Sequence, residues 1–171
     1  MAQLDHFFPK SEYPLLALSF YNLVPCCYSC NHTKSDKIIK NVKMISPYDK
    51  SRKTDSIIKF SYLPKKDGKY QIEVQGYGMA KKEMEKNIEV FHLDKQYSIH
   101  TDIVDVLRIK VEHEPPEYLE AIRKLLKREG DSTFLSEEEV YYGTYLTQDR
   151  YFLRPLSKFE HDIINQIKSG R

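Results

Sequence analysis

The sequence predicts an α+β chain, in which short extended pieces and a β-hairpin come first and a mainly helical region follows. Three observations carry that expectation. Pro9, Pro14 and Pro25 keep residues 1–34 from forming a long helix, because proline fixes φ and removes a backbone donor. Residues 57–75 alternate apolar and polar side chains around a turn-forming Lys65-Lys66-Asp67-Gly68. From Gly78 onward the apolar residues recur at helical spacing.

Taken in order, residues 1–34 are expected to be irregular with short strands. A short helix is expected from Cys30, with Asn31 as its N-cap. In the hairpin, Ile58, Phe60 and Tyr62 form one apolar row and Tyr70, Ile72 and Val74 the other. Met84, Ile88 and Phe91 mark the next helical stripe, and Ile99, Ile103 and Val106 the one after it. Pro115-Pro116 breaks the pattern, and a helix opens at Pro116 or Glu117 with Tyr118, Ile122 and Leu125 inward. Two capping boxes are expected, Ser136 with Glu139 and Ser157 with Glu160; the second opens a helix through Phe159, Ile163 and Ile167. These stripes read as core. The chain thus divides into a motif over 1–50, a hairpin over 51–78 and a helical region over 79–171 packed on it.

Composition narrows the function classes. Hydrophobic content of 40% with 13 tyrosines is enough for a core, and no apolar run approaches the roughly 18 to 20 residues that span a bilayer. The first ten residues lack the basic-then-apolar pattern of a secretory leader, so a cytoplasmic address is expected. Net charge is 27 − 25 = +2, which argues for nothing alone. Its distribution says more: Lys34, Lys37, Lys40, Lys43, Lys50, Arg52 and Lys53 stand against only Asp36 and Asp49. Such a run is a solvated face or a place for a phosphate backbone. The three cysteines all lie within Cys26–Cys30, which is no disulfide framework. Cys27-x-x-Cys30 reads as half of a zinc site or as a redox pair.

Asp5 and His6 are adjacent; fifteen residues separate His6 from Asn22, and eight separate Asn22 from Asn31. Singly, Asn31 is as readily a helix cap and Asn22 a turn residue. Jointly, residues 5–36 resemble the HNH endonuclease motif, also called the ββα-metal or His-Me finger. Asp5-His6-Phe7-Phe8-Pro9-Lys10-Ser11 is similar to the family's D-H-x-x-P-K-S. Asn22-Leu23-Val24-Pro25-Cys26-Cys27-Tyr28-Ser29-Cys30-Asn31-His32-Thr33-Lys34 is similar to N-L-x-P-x-C-x-x-C-N-x-x-K, the zinc-bearing subgroup. The stretches "ISPYDKSRKTD" and "RPLSKFEHDI" resemble bacterial HNH proteins of phage defence, which implies a protein partner from such a system.

The resemblance implies a small ββα-metal motif and a nuclease that hydrolyses phosphodiester bonds in DNA, with RNA left open. Hydrolysis needs an activated water and neutralised charge on the phosphate and leaving oxygen. His6 is the implied general base, since imidazole titrates near neutrality. Asp5 and Asn31 are the implied oxygen ligands of one Mg²⁺ or Mn²⁺ ion, which accepts few protein ligands. His32 competes with Asn31, and Asn31 is preferred because it directly follows the C-x-x-C. Asn22 would bond across the loop and orient His6. Lys34, expected at a helix start, would meet a phosphate, with Lys37 and Lys10 as further nucleic-acid contacts.

Cys27 and Cys30 are the implied thiolate ligands of a structural Zn²⁺, with Cys26 a packing residue. The subgroup's first C-x-x-C stands before the Asp-His pair, where this chain has Met1–Leu4. That half lies outside this chain, or the site is completed otherwise, or no zinc binds. Two other function classes stay open: a nuclease-derived module that binds nucleic acid or a partner without turnover, and a thiol redox protein using Cys27 and Cys30. The redox reading lacks the βαβ setting of such motifs.

Overall fold

The computed structural model describes residues 3–34, 43–49, 51, 53–128 and 135–170. The architecture is α+β, with two small antiparallel sheets of two strands each and a helical C-terminal stretch. The chain divides into two compact units, and the division runs through the hairpin. Met1–Ile58 with Val74–Gln96 forms the first, and Lys59–Glu73 with Tyr97–Arg171 the second. The stretches expected from the sequence are each continuous, whereas each unit is assembled from two pieces of chain.

In the first unit, β1 (Gln3–His6) pairs antiparallel with β2 (Leu23–Cys26), His6 opposite Leu23 and Asp5 opposite Val24. Helix α1 (Tyr28–Lys34) follows at once. Its start corrects the expectation for Asn31, which lies inside the first turn and donates its N–H to the Cys27 carbonyl at 3.1 Å. Cys27 takes the capping place instead: its Sγ accepts from the Cys30 N–H at 3.4 Å. The i, i+3 spacing of the cysteine pair is also the spacing of an N-cap and its N3 donor. Helix α2 (Lys81–Phe91) packs against α1, buries Met84, Ile88 and Val90, and ends at His92 in the left-handed region.

The hairpin forms as expected from β3 (Ile58–Pro64) and β4 (Tyr70–Gly76), with Ile58, Phe60, Ile72 and Val74 buried. Gly68 closes its turn with φ +79°, a backbone conformation that costs glycine little.

In the second unit α4 (Thr101–Glu112) and α7 (Ser157–Ser169) pack together, as do α5 (Pro116–Arg128) and α6 (Glu137–Tyr142); the short α3 (Leu93–Tyr97) ends the first unit's chain and enters the second at Tyr97. Asp162 and Gln166 of α7 bond the Phe60 and Tyr62 backbone at 2.9 Å each, satisfying an open strand edge with side chains. Three sequence expectations are corrected here. The buried stripe of α4 is Val104, Leu107 and Val111, while Ile99 and Val106 are exposed: α3 ends at Tyr97, and helical phase restarts at Thr101. Tyr118 and Leu125 of α5 are exposed beside buried Ile122. The Ser136–Glu139 capping box has both halves, but Ser157 is not a cap. Leu156, left-handed at φ 66°, precedes α7, and the Ser157 hydroxyl donates to the Arg154 carbonyl.

Candidate active site

Strand pairing sets the first part of the site. Gln3 and Asp5, two apart on β1, share one face, and His6 ends the strand where the chain leaves the ladder. The connection from Phe7 to Asn22 then returns to β2, and Asn22 fastens its two ends. The Asn22 side chain is 3% exposed, accepts from the Phe8 N–H at 2.7 Å, and donates to the carbonyls of Phe8 and Leu16 at 3.1 and 3.0 Å. The Phe7 N–H adds a bond to the Asn22 carbonyl at 2.8 Å. All three side-chain capacities used there meet backbone, so the loop beside His6 is fixed by one residue.

His6 is held from the same loop. Its Nε2 lies 3.0 Å from the Ala17 carbonyl oxygen, which can only accept, so in the neutral ring Nε2 is the donor and Nδ1 the free acceptor. Asp5, His6, Lys10, Asn31 and Lys34, with Leu4 and Pro9, line one cavity of about 250 Å³. Asn31 donates its amide hydrogen to Gln3 Oε1 at 2.9 Å, which leaves Oδ1 as its remaining acceptor. Asp5, His6, Asn22 and Asn31 are thus brought to one region by β1, β2 and α1.

Lys34 sits otherwise than expected. It is the last residue of α1 and not at its start, and it is buried at 4% exposure. Its ammonium lies 2.7 Å from Asp5 Oδ2 and donates to the His6 carbonyl, so its charge is engaged within the wall of the same cavity. Lys10 is exposed on the cavity rim. Lys37, with Asp36, Lys40, Lys50 and Arg52 of the basic run, lies outside the described residues. Oxygen donors on Asp5 and Asn31 in one cavity suit a hard divalent cation, so the residues present fit Mg²⁺ or Mn²⁺.

Among the described residues the cysteines do not make a complete zinc site. All three cysteines and all six histidines lie among the described residues. No third Cys, His, Asp or Glu among the described residues joins Cys27 and Cys30 within ligand distance. Two thiolates do not satisfy a tetrahedral zinc that takes four ligands. Cys27 is exposed, and the Cys30 N–H and side chain pull its thiol below the usual range. Burial pushes Cys30 and Cys26 the other way. The Gln96 amide approaches Cys30 Sγ at 3.7 Å.

Sequence reasoning missed Gln3, the Ala17 carbonyl and Tyr48, whose hydroxyl donates to the Leu23 carbonyl at 2.8 Å and ties residues 43–49 to β2. Strand alternation with Asp5 is the signal that could have found Gln3. A backbone carbonyl leaves none. No family model, no curated protein and no solved structure matches the chain.

Proposed function

We propose that the chain is a metal-dependent HNH-type endonuclease that hydrolyses phosphodiester bonds in DNA. The observation that carries the reading is the arrangement of His6: Nε2 is occupied by Ala17, Nδ1 is left as a base, and Asp5 and Asn31 line the same cavity. In this reading Nδ1 of His6 takes a proton from the attacking water. Asn22 keeps the ring in place by fixing the loop that carries both His6's successor residues and the Leu16–Ala17 turn. Asp5 and Asn31 are the residues that would hold Mg²⁺ or Mn²⁺. When bound, that ion supplies charge neutralisation at the phosphate and leaving oxygen. Lys10 on the rim offers a cation to a flanking phosphate. A partner from a phage-defence system remains a proposal resting on the sequence resemblance.

The alternative, a nuclease-derived module that binds without turnover, is favoured by one observation: Asp5 Oδ2 is already engaged by Lys34. Plasmid nicking in EDTA, Mg²⁺ and Mn²⁺, with wild type and His6→Ala, separates the two. Metal-dependent nicking lost in the variant is expected. Undiminished cleavage by His6→Ala refutes the mechanism, and binding without cleavage under every metal favours the module.

A further inference from the structure

A second cavity of the first unit has chemistry that hydrolysis does not use. It measures about 360 Å³, and its walls include Phe7, Phe8, Tyr21, Tyr48 and Lys43. Phe7 and Phe8 directly follow His6, so one short piece of chain joins this wall to the candidate base. The rings are ordered against one another. Phe7 and Phe8 meet edge to face at 5.0 Å, Tyr21 meets Tyr48 edge to face at 5.8 Å, and Phe20 lies 5.6 Å from Tyr21.

Tyr21 of this cavity and Phe20 beside it have no reason in core packing. Phe20 and Tyr21 are 71% and 72% exposed, side by side. Their backbone is held, because they open the tight turn Phe20–Asn22 whose last residue clamps the loop of His6, and both rings contact Tyr48. Tyr48 is fixed through its hydroxyl on Leu23. An exposed aromatic face, on the loop that Asn22 ties to the residues after His6, is what an unstacked base requires. Every base has a π-face, so such a wall accepts bases without reading their edges. Lys43 shares this cavity with Asp49 and Glu83, so the subsite holds its base by the rings, and Lys10 at the His6 cavity supplies a cation for the phosphate.

We propose that this cavity is a nucleobase subsite: a base adjoining the phosphodiester at His6 leaves its stack and lies against Tyr21, whose ring Phe20 buttresses from outside the cavity. The inference rests on the nuclease reading and names its substrate class, single-stranded or locally unpaired nucleic acid. A paired base must first be unstacked and unpaired to enter, which disfavours intact duplex.

The test is binding of the full chain in EDTA, where nothing turns over. Fluorescence anisotropy would compare labelled oligothymidylate of about 12 nucleotides, an abasic strand of equal length and charge, and a duplex. Oligothymidylate is expected to bind about tenfold or more tighter than the abasic strand, and tighter than duplex. Tyr21→Ala and Phe20→Ala should each remove much of that preference, and Tyr21→Phe should keep it. Both rings are exposed, and circular dichroism verifies that the variants fold. Equal binding of base-bearing and abasic strands, tighter duplex binding, or no binding of any strand overturns the subsite. Base-dependent binding by a chain that never nicks leaves the subsite standing and refutes hydrolysis; nicking with base-independent binding does the reverse.

Discussion

Replacing Lys34 with methionine removes a charge on which two candidate site residues depend. The Lys34 side chain is 5% exposed, and its ammonium bridges Asp5 Oδ2 at 2.7 Å and the His6 carbonyl. Without it, the Asp5 carboxylate stays in a nearly dry place with its charge uncompensated. Breaking a buried pair by deleting one partner costs about 3–5 kcal/mol, and the residual exposure of Asp5 puts the expected loss near the lower end, about 3 kcal/mol. Asp5→Asn combined with Lys34→Met leaves no buried charge and should recover about 2 kcal/mol of that loss, a coupling that a double-mutant cycle reads directly. Because the chain has two units, urea denaturation is best paired with hydrogen exchange in peptides covering β1 and α1. Mn²⁺ should restore Lys34→Met more than it stabilises wild type, since saturation at about 100 times Kd is worth about 2.7 kcal/mol and the cation answers Asp5. A loss below about 1 kcal/mol, with no recovery in the double variant, would refute the reasoning.

Asn22→Ala strips three hydrogen bonds from a 3% exposed site and should cost about 2–4 kcal/mol in chemical denaturation, with nicking reduced about 10- to 100-fold. Glu139→Gln should destabilise the second unit by about 2–3 kcal/mol, read by thermal melting. The Glu139 oxygens accept from Ser136, Leu146 and Arg150, and an amide nitrogen cannot accept. Iodoacetamide in EDTA should label Cys27 ahead of Cys26 and Cys30, with mass spectrometry following the order. The Cys27 thiol is held low and is exposed, so its thiolate appears at lower pH, whereas burial holds the other two high.

The ββα unit was legible because its residues keep a fixed order and spacing, and the hairpin because alternation and a Gly68 turn are local signals. The Ser136 box was legible for the same reason. What failed was long-range or depended on phase. Lys34 reads as one more lysine of a basic run, and only the approach of α1 to β1 buries it against Asp5. The α4 stripe slipped because the spacing was carried through Ser98–His100, where the helix breaks. The caps at Asn31 and Ser157 were plausible residue types in the wrong position by four residues and one. A sequence fixes a cap only where the backbone before it is extended, and Leu156 is left-handed.

These bonds bear on zinc. In small zinc motifs the metal replaces a core that the chain cannot build. Here β1 and β2 pair over four positions, Asn22 ties the loop, Asn31 bonds Gln3, Lys34 bridges Asp5 and His6, Tyr48 bonds Leu23, and α1 packs on α2. The cysteine pair meanwhile caps α1 through Cys27, a role that needs no metal. Removal of zinc with a strong chelator should therefore shift the melting temperature by less than about 2 °C, where loss of a structural metal would unfold the motif. Elemental analysis of the purified chain should give less than one zinc per molecule. Stoichiometric zinc, lost together with the folded signal of β1 and α1 on chelation, would mean that these bonds are too weak to hold the motif. The remaining ligands would then come from outside the described residues.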